Sequence, residues 1–281
     1  MNPRNCISIL VMTAWPLNLA VANEEEDIWG LSVNDVMKVT VKSASKIEQK
    51  TTSAPGTVTL ITQEQMALYG WDSINDVLYA MPGFGPGQDY DRPTVPSRGN
   101  FDSWSNNHIL HLVDGIPMND NLYGSAYTWE ITPLFIAKTL EVITGPGSAL
   151  YGSNATNGVV QMNTFNAKDL PHEFQVRAST GQRGTQSLDL LFGHYNDTLD
   201  AVAAYNHHKT KGNQYTSVDG SGRGAQQGTL STFTTRDNRS NHYFWSKITF
   251  NDSWKLQYHW QHWDFDTGHG WLFWIPDFDE E

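Results

Sequence analysis

From Pro171 onward the chain alternates apolar with polar residues, and no stretch outside the extreme N-terminus approaches the roughly 20 apolar residues of a membrane-spanning helix. Phe174, Val176 and Ala178 alternate with Gln175, Arg177 and Ser179. Leu188, Leu190 and Phe192 fall on one face of the next segment. Leu199, Ala201, Ala203 and Tyr205 oppose Asp200 and Asn206. Phe244, Ile248 and Phe250 share a face that Ser246 interrupts, and Trp254, Leu256, Tyr258 and Trp260 oppose Lys255, Gln257, His259 and Gln261. Side chains of a strand point alternately to its two sides, so each segment is predicted to be a strand with one apolar and one polar face. A transmembrane β-barrel takes such strands, and so does a soluble β-sandwich. Link lengths favour the barrel: the links at His194–Asp197 and Asn251–Ser253 are short, while Lys209–Asn241 is long, polar and rich in glycine. The short link Gly181–Gly184 falls on the long-link side and fits less well.

Residues 1–22 read as a cleaved export signal, with Arg4 as the positive start, a mostly apolar run from Ile7 to Val21 and the small-x-small site Ala20-Val21-Ala22. The single cysteine, Cys6, falls inside that signal, so a mature chain would carry no disulfide, thiolate metal site or cysteine nucleophile. A net charge of -12 argues against nucleic acid as a partner, because phosphates need compensating cations. Aromatic residues concentrate near the C-terminal end, as expected of the aromatic girdles that flank a barrel's lipid-facing band.

Between Pro55 and Phe165 the pattern changes. Gly56-Thr-Val-Thr-Leu-Ile-Thr62 is rich in β-branched residues and reads as a strand. Thr62 with Gln65 forms a capping box that opens a short helix ending at Tyr69-Gly70. Asp72 or Ser73 caps a second helix, with Ile74, Val77 and Leu78 on one face, stopped by Pro82-Gly83. Ile109–Val113 is a buried-type strand that turns at Asp114-Gly115. Leu140–Ile143 runs as a strand into Gly145-Pro146-Gly147, then through Tyr151-Gly152 to another strand after Gly158. The expected fold is thus an α+β domain (a small mixed sheet with short helices) over residues 55–168. Antiparallel transmembrane strands of an incomplete barrel follow over 169–281, and a segment of 23–54 precedes the domain.

The order of motifs in the middle region resembles the plug domain of TonB-dependent outer-membrane receptors. It carries Leu78–Gly83, then Ser97-Arg98-Gly99, then Val113-Asp114-Gly115-Ile116-Pro117, then Glu141–Gly152 with Gly145-Pro146 and Tyr151-Gly152. Departures stand at Thr144, where the family commonly has Arg, and at Ala137 and Thr139, where it has acidic and Arg residues. The resemblance implies a receptor portion at the Gram-negative outer membrane for energised uptake of a scarce ligand: a siderophore, haem, cobalamin or an oligosaccharide. Its implied partners are TonB, that small-molecule or oligosaccharide ligand, and outer-membrane lipid. It implies no enzymatic activity and no cofactor. Plugged barrels close with about 22 strands, so five strands are expected to be the start of a longer wall and the chain a fragment or truncated product.

Candidate site residues follow from both readings. Val39, Thr40 and Val41 alternate in a solvated segment suited to pairing with TonB as an added strand. Tyr90, Arg92, Trp104, Tyr123 and Tyr127 lie in loops whose aromatic and polar groups suit ligand contact. The plug motif contributes Arg98, Gly99, Asp114, Gly115, Glu141, Gly145, Pro146, Tyr151 and Gly152. No metal site is expected, because His259 and His262, His207 and His208, and His108 and His111 each diverge on a strand. Gly145-Pro146-Gly147 is not followed by the Lys-Ser/Thr of a phosphate loop, and no helix is expected to begin there. A secreted β-rich ligand-binding or adhesive protein with a plug-like module is the alternative.

Overall fold

The computed structural model describes residues 40–41, 49–50, 57–89, 92–100, 106–213, 216–218, 232–234 and 237–266. All of them fall in one compact unit, Val39–Glu281. The expected export signal lies outside the described residues.

The first strands, β1 (Thr40–Val41) and β2 (Gln49–Lys50), pair antiparallel with each other. β3 (Thr57–Thr62) leads directly into α1 (Gln63–Tyr69). The capping box is present: Gln65 N donates to Thr62 Oγ1 at 3.4 Å and Thr62 N donates to Gln65 Oε1 at 3.0 Å. For α2 (Ile74–Tyr79) the cap is Ser73 rather than Asp72, and Asp76 accepts from the Ser73 N–H at 3.0 Å. One face of α2 buries Ile74, Val77 and Leu78 completely. The loop after Pro82 holds a small hairpin, β4 (Gly87–Asp89) with β5 (Arg92–Thr94), which alternation does not reveal in three residues.

β6 (Ile109–Val113) turns into β7 (Ile116–Pro117) through Asp114 and Gly115, both at positive φ (47° and 86°). That geometry matches the hand of a two-residue hairpin and suits Asp-Gly. β8 (Ala137–Thr144) and β9 (Gly158–Thr164) enclose the glycine-rich turn. Contrary to the sequence expectation, a one-turn helix, α3 (Ser148–Tyr151), does begin after Gly147. Short apolar-polar runs do not show helical periodicity, so a four-residue turn is invisible in the pattern. The sheet order is β3-β8-β9-β6-β7, antiparallel throughout except for the parallel β6–β9 pair. This is the expected mixed sheet with short helices.

The wall follows as a meander: β10 (Phe174–Thr180), β11 (Gln186–Tyr195), β12 (Leu199–Thr210), β15 (Arg239–Phe250) and β16 (Trp254–Phe265), ordered β10-β11-β12-β15-β16 and all antiparallel. The long link contains one more small pair, β13 (Thr216–Val218) with β14 (Thr232–Thr234). Every residue expected on the apolar face points away from the plug. Phe174 is 58% exposed and Trp254 77%, and Val176, Phe192, Ile248, Leu256, Tyr258 and Trp260 are exposed beside them. A sandwich would bury this face under a second sheet; here the plug covers the opposite face instead. Val202, Ala204, Leu191, Tyr243 and Trp245 of that inner face join Leu140, Met162, Leu78 and Ile136 of the plug in one apolar cluster. Contact is close enough that a Cβ at Gly193 would meet Leu170 Cδ1 at 2.6 Å and Ala167 Cβ at 3.2 Å. Among the described residues the wall is five strands wide and is not closed.

Candidate functional site

Polar bonds between plug and wall are spaced along the inner face. Near the short-turn end, the Ala167 N–H donates to Asp200 Oδ1 at 2.7 Å. Further along, the turn residue Asp114 is gripped from both sides. The Thr164 N–H donates to its Oδ1 at 2.8 Å, while Gln257 Nε2 (3.0 Å) and Lys247 Nζ (3.3 Å) reach its Oδ2 from the wall. Lys247 Nζ also donates to Thr164 Oγ1 at 2.7 Å. A buried ammonium is tolerable only with partners of this kind. Arg177 bridges Asp189 of the wall (2.6 Å) to Asp72 of the plug (3.4 Å). At the long-loop end, Gln261 Nε2 and Asn241 Nδ2 donate to the Ile131 carbonyl, the former at 2.6 Å, and Arg239 pairs with Glu130 of the plug and with Asp237.

A narrow cleft opens at that same end, between the plug loop and the tops of β12, β15 and β16. Trp129, Glu130, His208, Arg239, Trp263 and Phe265 are among its lining residues. Its aromatic wall is ordered by ring contacts: Tyr127 meets Trp129 edge-on at 5.3 Å and Trp263 at 6.0 Å, and Trp263 stacks on Phe265 at 4.5 Å. Rigid rings with a few fixed charges are what orient an organic guest by stacking and hydrogen bonding. Beneath it, Thr128 Oγ1 links Asn75 and Asn106, and Asn106 Oδ1 accepts from the Val95 N–H at 2.6 Å, which ties the plug loop to α2. Burial pushes the Tyr79 phenol up to about 12, and it donates to the Thr94 carbonyl at 2.8 Å. A separate loop is held by Asp120. Burial raises its carboxyl, but N–H donors of Tyr123, Leu122 and Ser125 outweigh that and leave it lowered.

Of the residues expected to contact ligand, Tyr127 lies against this aromatic wall, and Tyr123 sits apart on the Asp120 loop, 55% exposed. Arg92 is described only as backbone in β5, and Tyr90 and Trp104 lie outside the described residues. Trp129, Glu130, Arg239 and Trp263 were not singled out in the sequence. The signal available was position: Trp129-Glu130 closes an aromatic loop, and Arg239 stands at the base of the long link. Thr40 and Val41 form a short strand with Gln49–Lys50 as its partner; Val39 lies outside the described residues. The motif residues scatter through the plug in structural roles. Arg98 (φ 51°) donates to the Thr144 carbonyl at 3.4 Å and lies over Gly145, followed by Gly99 (φ 76°). Pro146 is exposed, and Gly152 ends α3. Buried Glu141 accepts from Asn163 Nδ2 at 2.9 Å, and burial followed by the Glu141 charge raises the Tyr151 phenol. Among the described residues no three His, Cys, Asp or Glu side chains are placed to hold a metal ion.

Residues 50–159 match the family model described as the TonB-dependent Receptor Plug Domain. Over those residues the chain is similar to the plug domain of TonB-dependent receptors. The vitamin B12 transporter BtuB of Vibrio vulnificus is 28% identical over 209 residues, covering 71% of this chain and 32% of that relative. Among solved structures, the Pseudomonas aeruginosa receptor FpvA bound to heterologous pyoverdines superposes with a TM-score of 0.59 at 17% identity, over 80% of this chain and 27% of FpvA. The Yersinia pestis ferric yersiniabactin receptor FyuA gives 0.50 at 15% identity, over 74% of this chain and 31% of that one. The chain therefore spans about a third of the length of the relatives it matches. The likeness to these solved structures is one of fold: a small mixed-sheet domain first and an antiparallel wall after it.

Proposed function

We propose that this chain forms the plug and first wall strands of an outer-membrane receptor that takes up a scarce organic ligand, of siderophore, haem, cobalamin or oligosaccharide type, with energy delivered through TonB. The observation that carries the proposal is the two-sided wall: apolar side chains outside, and a folded plug fastened to the inside by hydrogen bonds. In this reading the long-loop end faces the cell exterior, and ligand meets the aromatic cleft of Tyr127, Trp129 and Trp263. Residues 23–54, with Val39, Thr40 and Val41, serve as the handle on the periplasmic side. Added-strand pairing needs main-chain donors and acceptors, so Thr40–Val41 would exchange Gln49–Lys50 for a TonB strand. Residues 1–22 direct export. The whole cycle is binding and mechanical work, with no covalent step assigned to this chain.

The experiment is uptake in an outer-membrane host lacking its own receptors. A panel of labelled cyanocobalamin, haem and ferric siderophores is supplied to the gene in its natural reading frame, with TonB present or deleted. Accumulation of at least one probe that disappears without TonB is expected. Val39→Pro, which removes a ladder donor, should abolish accumulation while surface binding of the same probe persists. Accumulation unchanged by TonB deletion would sink the proposal.

A further inference from the structure

The strand register places three histidines side by side on the outward face. His207 of β12 pairs with His242 of β15, and His242 pairs with His262 of β16. His207 and His242 stack with ring centroids 4.3 Å apart and planes 17° from parallel. His242 Nδ1 bonds the Tyr205 hydroxyl at 2.8 Å, and His207 Nδ1 lies 3.2 Å from the Asn241 carbonyl. His262 lies parallel to the Trp260 ring, its Nε2 3.2 Å from Asp264 Oδ2.

The position of this row in the outer surface is what gives it meaning. One row toward the short turns stand Tyr205, Phe244 and Trp260, then Ala203, Ser246 and Tyr258, then Ala201, Ile248 and Leu256, and finally Leu199, Phe250 and Trp254. One row toward the long loop stand Lys209, Ser240 and Asp264. From Trp254 to His262 the strand rises about 27 Å, or roughly 20 Å along the normal at the usual barrel tilt, against an apolar band about 25 Å tall. The histidines thus lie just inside the upper edge of that band, between the aromatic row and the row of Lys209 and Asp264, within reach of lipid headgroups.

We propose that the His207–His242–His262 row is a pH-gated binding site for the phosphate of an anionic outer-leaflet lipid. The inference rests on the membrane reading of the wall. Two stacked imidazoles repel when both are protonated, and a phosphate lying along their exposed edges relieves that repulsion while accepting their N–H donors. The other charged groups facing the row are Lys209, which adds to the attraction, and Asp264, which opposes it but already engages His262. Tyr205 brings a hydroxyl to the row, and Leu188 on the β11 side carries no charge. The acyl chains would lie over Phe244, Trp260 and Tyr258, so a lipid fits the surface better than a soluble anion. An imidazole attracts an anion only when protonated, so the site fills on acidification.

The test uses the full chain in mixed micelles containing diphosphoryl lipid A or its dephosphorylated form, with lipid retained after purification measured by mass spectrometry. Retention of the phosphorylated lipid should rise about fivefold for each histidine that gains charge between pH about 8 and pH about 5.5, the effect of one cation at an anionic surface. The dephosphorylated lipid should show no rise. The triple variant His207→Gln, His242→Gln, His262→Gln should lose the pH dependence. The single variant His262→Gln, at the most exposed position of the three, should reduce it should the triple variant fail to fold. Retention independent of pH, or an undiminished rise in the variants, overturns the proposal. Inorganic phosphate competing as tightly as the lipid overturns the assignment to lipid. Failure of the chain to enter micelles at all would remove the membrane reading beneath it, a result distinguishable from entry without pH-dependent retention.

Discussion

At the scale of single residues, the plug is held by a few buried polar groups whose partners come from far along the chain. Lys247 and Asp114 are the clearest pair, with Thr164 and Gln257 completing the set. Lys247→Met keeps the stem but removes three donors, and Asp114→Asn removes the charge they serve. Each should lower plug stability by about 1–3 kcal/mol, and the double variant should fall short of their sum by about 0.5–3 kcal/mol. Thermal melts of the four proteins measure that coupling, and strict additivity would show the pair to be energetically idle. His111 makes a second prediction. Burial, and then the neighbouring His259, lower it from 6.5 to about 4, and its Nε2 has no hydrogen-bond partner among the described residues. The folded plug therefore keeps His111 neutral, and its full contribution is present above pH 6.5. As pH falls from 6.5 toward 4 the unfolded chain takes up a proton that the folded one refuses, at a cost of up to about 3 kcal/mol. Melting midpoints of the parent should drop more steeply across that window than those of His111→Met. Equal slopes would place the imidazole in contact with water.

At the scale of elements, local rules and long-range rules were legible to different degrees. The capping box at Thr62, the Asp114-Gly115 turn and the apolar face of α2 depend on neighbours within four residues, and they stood in the sequence as they stand in the fold, whereas the second cap was legible only as Asp72 or Ser73. So did the outward face of each wall strand, because alternation needs no tertiary knowledge. The β4–β5 and β13–β14 hairpins and α3 escaped notice, each being too short to show a period. The aromatic cleft was only half visible. Tyr127 drew attention as a loop aromatic, whereas Trp263 is brought to it from more than a hundred residues away by strand pairing that no local signal encodes. The outward face makes its own prediction. Ala203→Arg places a charge near mid-depth and should destabilise the inserted wall by about 2–4 kcal/mol. Lys255 to Arg, on the inner face near a turn, should be close to neutral. Urea titration of folded protein in detergent or lipid would compare them, and equal tolerance would speak against lipid on that face.

At the scale of the whole molecule, one meander reconciles two solvents. Its outer face carries Phe174, Val176, Ile248 and Leu256 exposed, and its inner face carries Lys247, Asn206, Asp189 and Tyr243 buried. In the proposed membrane setting the outer face meets lipid, while the inner face meets the plug. The single natural cysteine, Cys6, can be replaced by Ser, which makes the decisive measurement simple. In that background, nitroxide labels are placed one at a time at 256, 257, 258, 259 and 260 of the full chain in the outer membrane, and collision with oxygen and with a water-soluble nickel chelate is recorded. Labels at 256, 258 and 260 should meet oxygen freely and nickel hardly at all, while those at 257 and 259 should be shielded from both by the plug. Uniform access to nickel along the strand, or the alternation with its phase reversed, would contradict the account.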